Sequence, residues 1–291
     1  MSAVAGEVAG GPPGEPRHGV RIFAIWAVVT AILVPVMIWL VGPHLPPSDS
    51  TSTASRDQHE INVLLTALGT PVLLMVWVYF GYAAAVFRQR GPEVVDGPPI
   101  EGNPQIQITW LVVTTTLVLG LAVLGTVDLF GEAGTGGGEG PAPIAKPADA
   151  SSAMQIQVIG QQWLWTFRYP GYGGIETPYL YLPVNREVVF HVTSLDVDHS
   201  FWAYELGVKA DAIPGNDNVA YVKPSQVRTF QIRCAELCGL WHGHMTSIGR
   251  VVSQSDFTSW ITQQQNKLAG VTKQLPPYSL IYYPAPIRRS G

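Results

Sequence analysis

The chain concentrates its metal-binding chemistry in one stretch, Cys234-Ala235-Glu236-Leu237-Cys238-Gly239-Leu240-Trp241-His242-Gly243-His244-Met245. The stretch contains the only two cysteines of the 291 residues, together with two histidines and a methionine. Thiolate, imidazole and thioether groups are ligands of soft and borderline metal ions. The stretch therefore predicts a metal site, around which the rest of the chain is organised.

Copper is the metal that this ligand set favours, because zinc sites rarely recruit a methionine such as Met245. A mononuclear blue-copper site uses one cysteine, so the surplus thiolate of Cys234 or Cys238 predicts a second copper ion. Two thiolates can bridge two ions, each of which then takes one histidine. Met245 and an oxygen donor remain as weak outer ligands. With His242 as one imidazole, the other must come from elsewhere in the chain.

Other interpretations of the same residues are open. Two cysteines at this spacing can form a short-loop disulfide in an oxidising compartment, which would remove the thiolates that a metal needs. A methionine is often core filler. His244 competes with His242 as a ligand, although a solvated or hydrogen-bonded role fits its position better. His191 lies in a strand-like run of apolar residues and is interpreted as structural.

The motif C-x-E-x-C-G-x-x-H-x-x-M over 234–245 is preceded by Asp196-x-x-His199-Ser200 and by Gly160-x-Gln162-Trp163-x-Trp165. Together these motifs resemble subunit II of the haem-copper cytochrome c oxidases, and the resemblance extends from about residue 61 to about residue 260. It implies a cupredoxin domain that holds the binuclear copper centre called CuA. The ligands that it implies are His199, Cys234, the backbone carbonyl of Glu236, Cys238, His242 and Met245.

The resemblance also implies roles for neighbouring residues. Trp163 matches the tryptophan through which electrons pass from cytochrome c, although a tryptophan in a strand is usually a packing residue. The Glu236 side chain matches a ligand of a Mg ion shared with subunit I. Asp196 matches an acidic position near the same junction, or simply caps a turn. Two residues depart from the family pattern: Leu164 replaces a common tyrosine, and Arg168 occupies a commonly acidic position.

Composition predicts a membrane protein, since 47% of the residues are hydrophobic and only 13% are charged. The apolar excess falls in three runs that carry no charge over 22–42, 61–87 and 104–127, and these predict transmembrane helices at 21–42, 61–87 and 104–130. Each run exceeds the roughly 20 residues needed to cross a bilayer core. The first run is too long for the apolar core of a signal peptide, so we expect it to be retained. Its removal is the alternative, and would leave the two-helix form usual for the family.

Basic residues flanking the spans predict the orientation. Arg17 and Arg21 lie at the N-terminal end of the first span and Arg88 and Arg90 follow the second, whereas Arg56 is the one basic residue other than histidine in the loop 43–60. We therefore expect a multi-pass protein of the plasma membrane with a disordered cytoplasmic tail at 1–20, an outer loop at 43–60 and a cytoplasmic loop at 88–103. Everything after the third span would then be extracytoplasmic.

The pattern after the spans changes from helical to strand-like. A Gly-rich flexible linker at 131–153 leads to alternating apolar segments separated by Pro and Gly turns, which predict a β-sandwich or Greek-key barrel at 154–255. A short amphipathic helix at 256–270 and a Pro-rich tail at 271–291 follow. The predicted fold class is thus a membrane-anchored all-β protein with three N-terminal transmembrane helices, and the resemblance implies that its β-domain is a cupredoxin Greek-key barrel.

A fully supplied ligand set on a rigid β-scaffold favours electron transfer over substrate chemistry. The resemblance implies a subunit of a respiratory cytochrome c oxidase that passes electrons from cytochrome c, or a membrane-bound c-type cytochrome, to haem in subunit I. A haem-copper nitric oxide reductase and a membrane-tethered copper carrier are the alternatives. Other oxidase subunits and the lipid bilayer are the remaining expected partners, and no nucleic-acid partner is expected.

Overall fold

The structure is a computed structural model that describes residues 17–88, 91, 102–131 and 146–272. Three helices come first: α1 (His18–Leu40), α2 (Thr53–Val86) and α3 (Pro104–Gly131). Ten strands follow, and then a final helix, α4 (Gln254–Thr272). The segments predicted at 1–20, 88–103, 131–153 and 271–291 lie mostly outside the described residues.

The first three helices contain 23, 34 and 28 residues and are long and apolar enough to cross a membrane. Their large apolar side chains are exposed, among them Trp39 at 78%, Phe80 at 72% and Val118 at 62%. Exposed apolar side chains along a whole helix are typical of surfaces that meet lipid or neighbouring helices. The helices therefore confirm the predicted membrane association.

The described residues form two compact units, of which the first contains 17–43 and 63–88 and the second contains 44–62 and 102–272. Within the first unit, the indole N–H of Trp26 on α1 donates a hydrogen bond to the Pro71 carbonyl on α2, at 2.8 Å. A second polar contact, between His18 Nδ1 and the Tyr82 hydroxyl at 2.8 Å, also joins α1 to α2.

Helix α2 begins at Thr53, inside the segment 43–60 that sequence reasoning assigns to the outer loop. Ser52 explains this start, because its hydroxyl accepts a hydrogen bond from the Ser55 N–H at 3.1 Å, as an N-cap residue does. The same hydroxyl donates to the Leu206 carbonyl at 2.6 Å, and the Thr51 N–H donates to the Glu205 carbonyl at 2.7 Å. The residues just before α2 are therefore fixed to the β-rich part of the second unit.

The strands are β1 (Met154–Gln161), β2 (Leu164–Tyr169), β3 (Ile175–Thr177), β4 (Leu180–Pro183), β5 (Val188–Ser194), β6 (His199–Ala203), β7 (Val208–Ala212), β8 (Asn218–Val222), β9 (Arg228–Cys234) and β10 (Thr246–Val252). They form two five-stranded sheets, with the orders β3-β2-β1-β5-β8 and β4-β10-β9-β6-β7. Pairing is antiparallel except between β1 and β5 and between β4 and β10. A two-sheet β-sandwich that follows the apolar helices confirms the predicted fold class.

Aromatic side chains fill the core of the sandwich. Phe201 on β6 has no exposed surface, and its ring contacts those of Trp165, Phe167 and Phe190 at centroid distances of 5.4 to 6.2 Å. Full burial of one such side chain stabilises a fold by roughly 1.5–3 kcal/mol. Because β6 begins at His199, this packing also fixes the strand that positions a predicted ligand.

Candidate metal centre

Strands β6 and β9 bring His199 and the cysteine stretch to the same end of one sheet. The two strands are antiparallel neighbours, with Phe201 opposite Cys234. Beyond the end of β9, the Ala235 N–H still donates to the Ser200 carbonyl at 2.9 Å. The residue that starts one strand therefore lies beside the residue that ends the other, although they are far apart in sequence.

Cys234 and Cys238 are both buried, with exposed fractions of 8% and 3%. Their Sγ atoms lie 3.8 Å apart, well beyond the roughly 2.05 Å of an S–S bond. Both are free thiols in this structure, so they do not form the short-loop disulfide that the sequence leaves open.

Each thiol faces one imidazole. His199 Nδ1 lies 3.9 Å from the Sγ of Cys234, and His242 Nδ1 lies 3.6 Å from the Sγ of Cys238. His199 has no exposed surface, whereas His242 is half-buried. The histidine that the cysteine stretch lacks is therefore supplied by the start of β6.

Two weaker donors lie beside the same thiols. The Glu236 carbonyl oxygen is 3.3 Å from the Sγ of Cys234, and the Met245 Sδ is 3.8 Å from the Sγ of Cys238. Met245 has no exposed surface, while the Glu236 side chain is exposed. The structure thus gathers all six residues that the sequence predicts as ligands. The ligand atoms of His199, Cys234 and Cys238 lie within 4.8 Å of one another.

Burial, together with the neighbouring Cys234 thiol, raises the pKa of Cys238 to about 11. The free thiol therefore keeps its proton at neutral pH in the metal-free protein. A metal ion that takes this sulfur as a thiolate must displace that proton.

The other two candidate histidines lie outside the cluster. His244 is exposed and its ring meets the Trp241 ring edge-on, with centroids 5.3 Å apart. His191 is buried, with Nδ1 2.8 Å from an Asp217 carboxylate oxygen and Nε2 2.8 Å from the Gln155 amide oxygen. His191 thus joins strand β5 to its surroundings, as the sequence interpretation expects.

The backbone closes the cysteine stretch at both ends. The Cys234 N–H donates to the Met245 carbonyl at 3.1 Å, and the Met245 N–H donates to the His242 carbonyl at 3.2 Å. Gly239 adopts a φ of 110°, which residues with a Cβ rarely adopt. A Cβ there would also lie 3.1 Å from the Gln162 side-chain nitrogen. Gly239 therefore lets the stretch turn closely against the β1–β2 connection.

Asp196 holds His199 from the side opposite the thiol. Its Oδ1 lies 2.8 Å from His199 Nε2, while its Oδ2 accepts from the Gln162 N–H at 2.7 Å and its Oδ1 accepts from the Val197 N–H at 2.7 Å. Burial acts to raise the pKa of Asp196, but these two N–H donors and His199 outweigh it and lower that pKa. A carboxylate on the distal nitrogen of a metal-binding histidine fixes the orientation of the ring.

Gly160 and Trp165 form the wall behind His199. A Cβ at Gly160 would lie 3.0 Å from His199 Cδ2 and 3.1 Å from the Trp165 ring. The rings of Trp165 and His199 meet edge-on with centroids 6.0 Å apart. Both residues belong to the Gly160-x-Gln162-Trp163-x-Trp165 motif, which sequence reasoning uses as a family signature without assigning these contacts.

Gln162 and Trp163 contact the cysteine stretch directly. The Gln162 side-chain amide donates to the Cys238 carbonyl at 2.8 Å, and the half-buried Trp163 indole N–H donates to the same carbonyl at 3.1 Å. Sequence reasoning singles out Trp163 and misses Gln162, although both lie in the same motif. The sequence feature that could have indicated Gln162 is an amide side chain directly before the tryptophan, at a turn between two strands.

Arg168, which departs from the family pattern, does not present an isolated positive charge. Its guanidinium forms an ion pair with Glu176 on the adjacent strand β3 and donates to the Gln157 side-chain oxygen at 2.7 Å. The side chain of Arg168 is only 14% exposed. Its positive charge is therefore partly neutralised within the fold.

Comparisons with known proteins agree with this arrangement. The family described as "Cytochrome C oxidase subunit II, periplasmic domain" matches residues 177–252. The chain is 28% identical to cytochrome c oxidase subunit 2 of Thermostichus vulcanus, with 83% of this chain and 86% of the relative covered. It is 30% identical to cytochrome c oxidase subunit 2 of Bacillus subtilis, with 83% and 69% covered.

Among solved structures, the periplasmic domain of subunit II of cytochrome oxidase from Bradyrhizobium japonicum is 33% identical. The similarity covers 39% of this chain and 94% of that one, with a TM-score of 0.38.

The fold and the site define a membrane-associated β-sandwich protein, with thiols, imidazoles and a thioether gathered at one end of its sandwich. Its sequence relationships are more specific than that class. The chain belongs to the cytochrome c oxidase subunit II family, whose members are subunits of an oxidoreductase complex.

Proposed function

We propose that the chain is the subunit of a respiratory cytochrome c oxidase that receives electrons through a binuclear copper centre. One observation carries this proposal: two free, buried thiols lie 3.8 Å apart, and each faces the Nδ1 of a different histidine. A mononuclear site needs one thiolate, so a closely spaced pair with one imidazole each suits two ions that share the sulfurs.

The donors fit copper by their chemistry. Thiolate and thioether sulfur suit copper, and Met245 supplies a thioether that structural zinc sites do not use. We propose His199, Cys234, Cys238 and His242 as the strong ligands, with Met245 and the Glu236 carbonyl as the weak ones. Bound there, copper would supply one-electron redox chemistry at a potential that its sulfur ligands tune.

The protein's own contribution is rigidity and exclusion of water. Cys234 ends strand β9, His199 starts strand β6, and Met245 directly precedes β10, so three strands fix three of the donors. Such a scaffold keeps the donors in place when the charge of the site changes. Burial of both thiols and of His199 also makes exchange with solvent slow, which favours electron transfer over the role of a copper carrier.

Trp163 is the residue that we propose for the passage of electrons from the donor protein. Its indole is half-buried and donates a hydrogen bond to the backbone carbonyl of Cys238, so a short covalent and hydrogen-bonded path links the ring to a proposed ligand. The donor proposed is cytochrome c or a membrane-bound c-type cytochrome, and the acceptor is haem in subunit I.

The remaining assignments follow from family membership and from the helices. We propose that three helices cross the plasma membrane with the N-terminus in the cytoplasm and the copper domain outside. The proposed segment bounds are those predicted from sequence, except that α2 begins earlier, at Thr53. The exposed Glu236 side chain is proposed as a ligand of a Mg ion shared with subunit I. Its exposure leaves it available to a neighbouring chain.

Electron paramagnetic resonance of the copper-loaded, full-length chain tests this function. We expect hyperfine structure from one unpaired electron shared equally by two copper nuclei, and its loss in Cys234→Ser and Cys238→Ser. A spectrum from a single copper nucleus would contradict the binuclear site. Oxygen uptake by the assembled complex with reduced cytochrome c, compared with nitric oxide consumption, separates the oxidase from a nitric oxide reductase.

A further inference from the structure

The turn between β1 and β2 contacts both halves of the proposed centre. The main-chain N–H of Gln162 donates to Asp196 Oδ2 at 2.7 Å, and Asp196 in turn contacts His199 Nε2 at 2.8 Å. The side-chain amide of the same residue donates to the Cys238 carbonyl at 2.8 Å. Gln162 therefore links His199, which it reaches through Asp196, to Cys238. These two residues are the two halves of the centre.

Without this link, the two halves are joined mainly through the strands. His199 begins β6, while Cys238 lies in the stretch between β9 and β10, beyond the regular ladder. A segment outside a ladder holds its position through side-chain and turn contacts. The Cys238 carbonyl has two such contacts, with the Gln162 amide and with the Trp163 indole, both from the same turn.

We propose that Gln162 is a positioning residue of the metal centre, which holds Cys238 in register with His199 and with Trp163. This role rests on the proposed copper site. The backbone at Gly239 passes close to the Gln162 side chain, since a Cβ at Gly239 would lie 3.1 Å from the Gln162 amide nitrogen. The Gln162 side chain therefore has little room to move away from the Cys238 carbonyl. The Gln162 side chain bonds the Cys238 carbonyl rather than its sulfur, so it acts through the backbone of Cys238.

The amide also acts electrostatically. The two N–H groups that point at the Cys238 carbonyl place the positive ends of their dipoles near the site, which disfavours its more positively charged, oxidised form. Removal of one donor should therefore lower the reduction potential of the centre. Loss of the contact should also loosen the stretch in the metal-free protein and make its thiols more accessible.

The test compares Gln162→Leu with Gln161→Leu in the full-length chain. Gln161 is a matched control because it is an exposed glutamine at the end of β1 that pairs with Leu164, while the Cys238 carbonyl accepts from Gln162 and Trp163. In copper-free protein, Gln162→Leu should speed thiol labelling by about fivefold, the factor that corresponds to a lost hydrogen bond of about 1 kcal/mol. In copper-loaded protein it should lower the midpoint potential, and Gln161→Leu should change neither value.

Asp196→Asn completes a double-mutant cycle. Gln162→Leu and Asp196→Asn each weaken the same link between His199 and Cys238. If Gln162 forms that link, the thiol-labelling rate of the double variant should rise by less than the product of the two single increases. Independent effects, or equal behaviour of Gln162→Leu and Gln161→Leu, would overturn the proposal.

If Gln162→Leu does not fold, Gln162→Asn replaces it, because the shorter amide keeps the polarity of the position but does not reach Cys238. The same changes in labelling and potential are then expected, and their absence overturns the proposal. Failure of the wild-type chain to show two coupled copper nuclei would instead contradict the proposed function, since labelling of the metal-free thiols does not depend on copper.

Discussion

His199 lies between a carboxylate and a thiol, with its Nε2 2.8 Å from Asp196 Oδ1 and its Nδ1 3.9 Å from the Sγ of Cys234. The carboxylate holds the distal nitrogen and leaves Nδ1 directed at the cysteine. Because His199 has no exposed surface, water does not compete for either nitrogen. Asp196 therefore determines which nitrogen is offered to a metal.

Replacement of Asp196 should weaken metal binding without unfolding the domain. Removal of such a partner typically lowers metal affinity by about 10- to 100-fold, and we expect a loss in this range for Asp196→Ala. Competition titration of copper against a chelator measures it. Asp198→Ala is the control, because Asp198 is exposed two residues further along the same connection. Equal losses in the two variants would contradict a specific role for Asp196.

Met245→Leu separates the thioether from the packing role of the side chain. Leucine has nearly the volume of methionine, so the free energy of unfolding should fall by less than about 1.5 kcal/mol. The sulfur that lies 3.8 Å from the Sγ of Cys238 is lost, so the reduction potential and the visible spectrum of the copper-loaded chain should change. Unchanged spectra would mean that Met245 serves the core alone.

The sequence alone groups most of the proposed ligand residues, because they lie close together in the chain. Cys234, Cys238, His242 and Met245 fall within one short stretch, so no knowledge of the fold is needed to group them. His199 is different. Only its resemblance to a family motif indicates it, because its approach to Cys234 depends on the pairing of β6 with β9.

Contacts that support the ligands could not be predicted in the same way. The role of Gln162 depends on two hydrogen bonds to residues that are remote in sequence, Asp196 and Cys238. The start of α2 at Thr53 likewise depends on the Ser52 hydroxyl and its contact with Leu206. Hydropathy gives the apolar part of that helix but not its polar first turns, which are held by tertiary contacts.

Phe201→Ala should destabilise the domain and disturb the metal centre together. The side chain has no exposed surface and contacts three aromatic rings, so its removal should cost about 3–5 kcal/mol of unfolding free energy. Chemical denaturation followed by tryptophan fluorescence measures this. Leu237→Ala is the control, since Leu237 is 83% exposed and its loss should change stability by less than about 0.5 kcal/mol.

Glu187 should make stability depend on pH. Burial, and next the charge of Asp149, raise the pKa of Glu187 from 4.5 to about 7. The folded state then binds more protons than the unfolded state between these values, so the free energy of unfolding falls as the pH rises from 4.5 to about 7. We expect the fall to be on the order of 1 kcal/mol.

Glu187→Gln removes this titration and should make the chain more stable than wild type at pH values above about 7, with little difference below 4.5. Thermal unfolding of the detergent-solubilised chain across this range measures the effect. A wild-type stability that rises with pH over the same interval would contradict the direction of the shift.

Donor turnover should depend only weakly on ionic strength, because residues from Gly131 onward include twelve acidic and twelve basic side chains. Without a strong field, apolar contacts near the centre should contribute more to docking. Leu240 is 85% exposed, and Trp241, directly before His242, is 50% exposed. Leu240→Ser should therefore raise the KM for reduced cytochrome c several-fold and leave the spectrum of the copper centre unchanged.

Val227→Ser is the matched control for Leu240→Ser. Val227 is also exposed, at 63%, but it precedes β9 at the end opposite Cys234, so it is remote from the proposed centre. Steady-state oxidation of cytochrome c by the assembled complex at low and high salt measures both effects. A steep fall in turnover as salt increases would show that charges dominate docking. Equal KM values for the two variants would mean that the apolar side chains beside the ligands face something other than the donor.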